Sequence, residues 1–246
     1  MAKQSSVLNI ATRALSTVGK GVGIVFPLAI IYGILLTALD LVAYSMFGPK
    51  GGDVSGQQDL VGVLLAWTAN ALAVEIILGP LFVACAVYLG RAVTTGVKPG
   101  IYKAVNFALS RYSRMFVPHL AAQLSIQLGM IIVIPGVLFQ MQYAFVDSVA
   151  ALEDEAAPLN RSKRLTRGRR RSIFLLFLPW LLLSQLIVFA DLWAMGQSEL
   201  YLFGVKVAVF LIYFTMQVSF FLLYDERTRQ RRARKNSEPA GAASDG

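Results

Sequence analysis

Long apolar blocks alternate with short polar segments along this chain. Six of the blocks are long enough to cross a bilayer as helices, because about 20 residues at 1.5 Å each cover the hydrocarbon core. They lie at 22–46, 60–89, 116–134, 136–152, 172–194 and 200–224. The fourth block is the weakest, since it is short and carries Gln140, Gln142 and Asp147. The pattern predicts an all-α integral membrane protein with six transmembrane helices, in which 22–224 is the membrane domain.

Shorter segments outside these blocks carry apolar residues at helical spacing, which predicts amphipathic helices at the cytoplasmic interface. They lie within 4–20, 99–115 and 158–168, and Gly168 is expected to end the third helix. The first gives a predicted cytoplasmic helix over 1–21. A tight turn is expected at "IPGV", because Pro135 ends a helix and Gly136 permits a reversal. The tail 225–246 is predicted to be basic at first and then disordered.

The positions of the basic residues predict the orientation of the six spans. Lys and Arg near span ends are retained in the cytoplasm. Six spans place both termini on one side, together with every one of the 23 basic residues except Lys50 and Lys206. Lys50 belongs to a Gly-rich outer loop at 47–59. The sequence therefore predicts a multi-pass protein of the bacterial inner (plasma) membrane with both termini in the cytoplasm.

Composition supports the membrane assignment and excludes several kinds of site. The chain is 56% hydrophobic and 15% charged, with a net charge of +9 and a mean hydropathy of +0.60, whereas soluble domains carry about 25% charged residues. The first block is too long for a signal-peptide core and is expected to be retained. Cys85 is the only cysteine and His119 the only histidine, so an intrachain disulfide and a Cys/His zinc site are excluded. No cofactor is expected.

The densest basic run is "RSKRLTRGRRR" at 161–171, directly before the fifth block. Its seven basic residues are Arg161, Lys163, Arg164, Arg167, Arg169, Arg170 and Arg171. A nucleic-acid site would need aromatic or polar readers among the charges, and the run offers few. Contact with an anionic inner leaflet needs only positive charge beside a span, at roughly 1 kcal/mol per residue. The run is therefore predicted to mark topology and to contact lipid headgroups, with no nucleic-acid partner.

Charges inside the predicted spans are the second candidate site, because burying charge in a bilayer is costly and indicates a partner or a pathway. These residues are Asp40, Glu75, Asp147, Asp191 and Lys206. An ion pair of Lys206 with Asp191 or Asp40 is favoured over a role in transport. Glu75 lies one helical turn before an expected break at Gly79–Pro80, and helix–helix hydrogen bonding is favoured for it. His119 is predicted to be a hydrogen-bonded interfacial residue.

The stretch from Val133 to Phe174 resembles one bacterial family of multi-span membrane proteins. The family includes the membrane domain of some glycerophosphodiester phosphodiesterases and standalone membrane proteins of unknown function. Its recurring elements match this sequence at Pro135–Gly136, Glu153, Leu159, Arg161–Ser162, Leu165–Thr166, Gly168, Arg170 and Ile173–Phe174. The chain departs from the pattern in Asn160, Lys163 and the basic run Arg169–Arg171. The resemblance implies a membrane scaffold and no phosphodiesterase activity, because the enzyme of relatives lies in a separate soluble domain.

Together these observations predict a non-enzymatic scaffold or accessory protein. Its expected partners are membrane lipids with anionic headgroups, contacted through the basic cytoplasmic face, where a protein partner is also conceivable. The alternative is a small transporter or channel that uses Glu75 and the charges of Asp40, Asp191 and Lys206. An intramembrane lipid enzyme is disfavoured, because no nucleophile–base or metal constellation is evident.

Overall fold

Helices account for the regular structure throughout the part of the chain that the computed structural model describes, residues 6–47, 57–132, 134–193 and 199–237. The all-α prediction is therefore confirmed for these residues. In chain order the helices are α1 Val7–Lys20, α2 Val22–Phe47, α3 Gln57–Thr94, α4 Ile101–Met130, α5 Ile134–Tyr143, α6 Val146–Leu152, α7 Pro158–Thr166, α8 Arg170–Trp193 and α9 Glu199–Ser237.

Three stretches of these helices are long and apolar enough to cross a membrane. They are Val22–Ala43 in α2, Leu72–Thr94 in α3 and Leu200–Ala233 in α9. Aromatic rings pack where these helices meet: the ring centroid of Phe210 lies 5.0 Å from those of Tyr32 and Phe82. The membrane assignment is thus supported at the level of three helices that form one packed core.

Helix α1 packs against the bundle with one face and leaves other apolar residues exposed. The Ser6 side chain caps it by accepting a hydrogen bond from the Asn9 backbone N–H at 3.2 Å. Ile10 and Ala14 are buried, and the helix packs mainly against α9. The predicted apolar stripe of this helix consists of Val7, Leu8, Ala11, Ala14, Leu15 and Val18. Four of these residues pack in or against the core, and the exposed ones are Leu8 and Leu15. The helix is therefore present as predicted, with most of its stripe on the buried face.

Two interruptions that the sequence predicts are absent from the described residues. The expected interfacial helix at 99–115 and the third block form one continuous helix, α4. Helix α3 likewise continues through Pro80, where a break was expected. At the C-terminus α9 continues from the sixth block through the basic run to Ser237, so the first part of the predicted tail is helical. Residues 238–246 lie outside the described range.

The turn between α4 and α5 brings two glycines together. A Cβ on Gly129 would lie 2.7 Å from the backbone nitrogen of Gly136, so these positions require residues without side chains. The reversal precedes Pro135, which lies in the first turn of α5, where proline is tolerated. The predicted reversal is present, but it occurs before the proline and not at it.

The fourth block is broken into α5 and α6 rather than forming one helix over 136–152. The Ser162 side chain of α7 holds this break from outside. Its hydroxyl donates to the Gln142 carbonyl at 2.8 Å and accepts from the Phe145 backbone N–H at 3.3 Å. Without Ser162 the buried Phe145 N–H would lack a partner, which is costly, and the Gln142 carbonyl would keep only the hydrogen bond from Thr166 at 3.5 Å. The break therefore depends on a residue that lies in a different helix.

Candidate functional site

Two groups of charged side chains lie inside the bundle in the part of the chain that the structure describes, and the first joins α2, α3 and α9. Lys206 Nζ lies 3.1 Å from Asp40 Oδ2. Asn70 Nδ2 donates to the other oxygen of the same carboxylate, also at 3.1 Å. Asp40 is thus one of the two acidic partners predicted for Lys206. The side chain of Asp191, the other predicted partner, lies outside the described residues.

The second group is centred on Glu75 in α3. Tyr213 of α9 donates a hydrogen bond to Glu75 Oε1 at 2.6 Å, and Gln123 Nε2 of α4 donates to the same oxygen at 3.2 Å. Glu75 therefore connects three helices, in agreement with the hydrogen-bonding role predicted for it.

His119 of α4 lies between two carboxylates in this second group. Its Nδ1 is 3.0 Å from Asp147 Oδ1 of α6, and its Nε2 is 3.7 Å from Glu75 Oε1. The imidazole side chain is only 1% exposed, whereas Glu75 is 20% and Asp147 17% exposed. The prediction that His119 is hydrogen-bonded is confirmed. Its ring is buried within the protein, and its position at the membrane interface stays a prediction.

Gly79 of α3 provides the space for this ring. A Cβ at that position would lie 2.6 Å from His119 Nε2 and 3.3 Å from the Glu75 carboxyl carbon. Glu75 and Gly79 are four residues apart, as are His119 and Gln123. Residues at this spacing share one helix face. The sequence therefore contained a signal for the contact, in the form of two i, i+4 pairs on neighbouring helices.

The acidic loop between α6 and α7 binds several cations at the basic end of the bundle. Glu153 is its centre: its carboxylate accepts from Arg161 Nε and from Tyr224 OH, both at 2.8 Å, while its carbonyl accepts from Arg114. The hydrogen bond to Glu153 raises the pKa of the Arg161 guanidinium above its ordinary value. Arg161 is thus a structural residue of this end.

Arg169 is likewise engaged within the protein. Its guanidinium donates to Gln230 Oε1 of α9 at 2.8 Å and lies 3.8 Å from Glu226 Oε1. The residue is buried. Arg161 and Arg169, two of the seven basic residues predicted to contact headgroups, therefore make contacts within the protein. Arg161 joins α7 to the acidic loop, and Arg169 joins the connection between α7 and α8 to α9.

The remaining five predicted headgroup residues surround an open cleft with a volume of about 590 Å³. Lys163, Arg164, Arg167, Gly168, Arg170 and Arg171 line it. Gly168 has a φ of +83° at the corner between α7 and α8, a backbone conformation that favours glycine. This corner confirms the predicted helix stop and turns the basic residues of both helices toward one space. Such a space suits an anion, because its lining supplies cationic donors.

Comparison with known proteins gives no further assignment. No family model, curated protein or solved structure matches the chain. The resemblance in the stretch from Val133 to Phe174 therefore stays a prediction. The fold and these two sites define the class as an all-α protein with helices suited to a membrane, a polar interior and a basic cleft.

Proposed function

We propose that this chain is a six-span, non-enzymatic scaffold or accessory protein of the bacterial inner membrane that binds anionic lipid headgroups in its basic cleft. One observation carries the proposal: five cationic side chains from α7, α8 and their connection share a single open cleft. A phosphate group in that space would meet several charged donors at once, which is the arrangement that binds phosphate strongly.

The six crossings in this proposal are α2, α3, α4, the α5–α6 pair, α8 and α9. The broken fourth crossing is compatible with a bilayer, because irregular backbone is tolerated where protein covers it. Phe145 and Val146 at the break are fully buried, and Ser162 bonds its backbone groups. The positive-inside rule then places the basic end in the cytoplasm, where the inner leaflet is anionic. Membership of the resembled family is part of the same proposal.

The basic residues at this end differ in whether a carboxylate lies against them. This difference separates binding in the cleft from general attraction to the membrane. Glu153 and Glu155 hold Arg161, and Glu226 holds Arg169. Arg167, Arg170 and Arg171 are exposed. Acidic neighbours thus offset the inner cations, while the exposed cations keep their charge available for a ligand.

We expect an anionic lipid to bind on the order of 100-fold more weakly to the triple variant Arg167→Gln, Arg170→Gln, Arg171→Gln. The reason is that each lost charge contributes about 1 kcal/mol to binding. The measurement is titration of the purified protein, in an uncharged detergent, with short-chain phosphatidylglycerol. Phosphatidylcholine provides the zwitterionic comparison and should bind weakly to all variants.

A matched control removes the same charge elsewhere at the basic end. The triple variant Lys98→Gln, Lys103→Gln, Arg111→Gln lies on α4 and the loop before it, outside the cleft. It should retain most of the affinity for phosphatidylglycerol. Equal losses in the two triple variants would contradict a cleft site and would indicate diffuse attraction to the basic surface.

A further inference from the structure

We propose that Glu75, His119 and Asp147 form a proton relay inside the bundle, in which His119 passes a proton between the two carboxylates. This relay is independent of headgroup binding, because none of its residues lines the basic cleft. A relay of this kind is what a proton-coupled transporter or a pH-responsive membrane protein requires.

The first support is that the two outer side chains of the three are more exposed than the middle one. The two carboxylates at the ends are each partly exposed, at 20% for Glu75 and 17% for Asp147, and the imidazole between them is 1% exposed. Each carboxylate therefore has part of its surface outside the protein, through which a proton can enter or leave, whereas the ring has almost none. The ring exchanges protons with the carboxylates, since it is sealed from solvent on its other sides.

The second support is the way the imidazole uses its two nitrogens. Nδ1 lies within hydrogen-bond distance of Asp147, and Nε2 faces Glu75. Nε2 is buried and makes no hydrogen bond with any described residue. A neutral ring with its proton on Nδ1 donates to Asp147 and leaves the Nε2 lone pair directed toward Glu75, where it can accept a proton.

One transfer can be written with all protons accounted for. A proton on the Glu75 carboxyl moves to Nε2, and the proton on Nδ1 moves to the Asp147 carboxylate. The ring changes tautomer, and one proton has passed from Glu75 to Asp147 without another reactant. The 3.7 Å gap between Nε2 and Glu75 Oε1 must shorten to about 3.2 Å or be bridged by one water.

The surroundings of the ring favour a proton as the ligand. The two carboxylates face opposite nitrogens of one ring, so they do not converge on a shared ion. No group of three or more His, Cys, Asp or Glu side chains within the described ranges is arranged for a metal. The other titratable groups near Glu75 are the phenols of Tyr213 and Tyr32. Lys206 of the other polar group lies 3.1 Å from Asp40.

The single histidine makes the test direct, because ¹⁵N-histidine labelling reports on His119 alone. The ring ¹⁵N shifts of the full chain in lipid nanodiscs are followed from about pH 5 to 11, which extends above the range over which an ordinary histidine changes charge. We expect a reversible titration. Its midpoint should fall by about one pH unit or more in Glu75→Gln and in Asp147→Asn, because each carboxylate stabilises the charged ring.

The matched control is Asp154→Asn, which removes one carboxylate from an exposed position paired with Arg114. It should leave the midpoint unchanged. Gly79→Ala keeps all three groups and inserts a methyl against Nε2, so it should lower the midpoint in the same direction as Glu75→Gln. A ring that does not titrate, or a midpoint unmoved by Glu75→Gln, would overturn the relay. A shift as large in Asp154→Asn would also overturn it.

Discussion

Replacing Lys206 with Met should lower the free energy of unfolding by about 3–5 kcal/mol, because removal of one member of a buried ion pair leaves the other charge uncompensated. The stranded group is the Asp40 carboxylate, which keeps the Asn70 amide at 3.1 Å but loses the ammonium. The measurement is reversible unfolding of the purified protein in mixed micelles.

The double variant Asp40→Asn, Lys206→Met provides the control for this pair. It removes both charges and keeps similar side-chain volumes, so it should be more stable than the sum of the two single changes predicts. A coupling energy near zero would show that the 3.1 Å contact contributes nothing to stability, in contradiction of the structure.

Ser162→Ala should destabilise the protein by about 1–3 kcal/mol, because the buried Phe145 N–H at the break between α5 and α6 loses its partner. The Gln142 carbonyl loses its 2.8 Å hydrogen bond from Ser162 but keeps the longer one from the Thr166 hydroxyl at 3.5 Å. Ser162 itself is fully buried. The same unfolding measurement applies.

Ser110→Ala is the matched control for Ser162→Ala. The Ser110 hydroxyl is exposed and donates to the Phe107 carbonyl of its own helix at 2.8 Å. Its loss should change stability by less than about 0.5 kcal/mol, as surface substitutions do. Equal effects of the two substitutions would mean that the break does not depend on α7.

The sequence was sufficient for the elements whose signals are local. Apolar blocks predicted helical structure, Gly168 predicted the end of α7, and the cost of buried charge predicted a partner for Lys206. Each of these inferences needs only the residues in and around the element. The structure agrees with all three.

The sequence was not sufficient where contacts between distant segments decide the outcome. No proline or glycine marks the break at Ala144–Phe145, which Ser162 holds from another helix. Burial of His119 was not predicted for the same reason. The space for its ring depends on Gly79, and its partners come from α3 and α6. Arg161 and Arg169 were grouped with exposed neighbours because their acidic partners lie far along the chain.

The orientation of the basic end is the central claim, since both the six-span arrangement and headgroup binding at the inner leaflet depend on it. Cys85 is the only cysteine and is buried, so Cys85→Ala gives a background for single-cysteine labelling. Gly52→Cys then reports on the predicted outer loop, and Asp154→Cys reports on the exposed acidic loop beside α7.

A membrane-impermeant maleimide, applied to intact spheroplasts and then to lysed ones, is the most direct measurement. The six-span arrangement predicts that Gly52→Cys reacts in intact spheroplasts and that Asp154→Cys reacts only after lysis. Labelling of Asp154→Cys in intact spheroplasts would place the basic end outside the cell and would contradict the account.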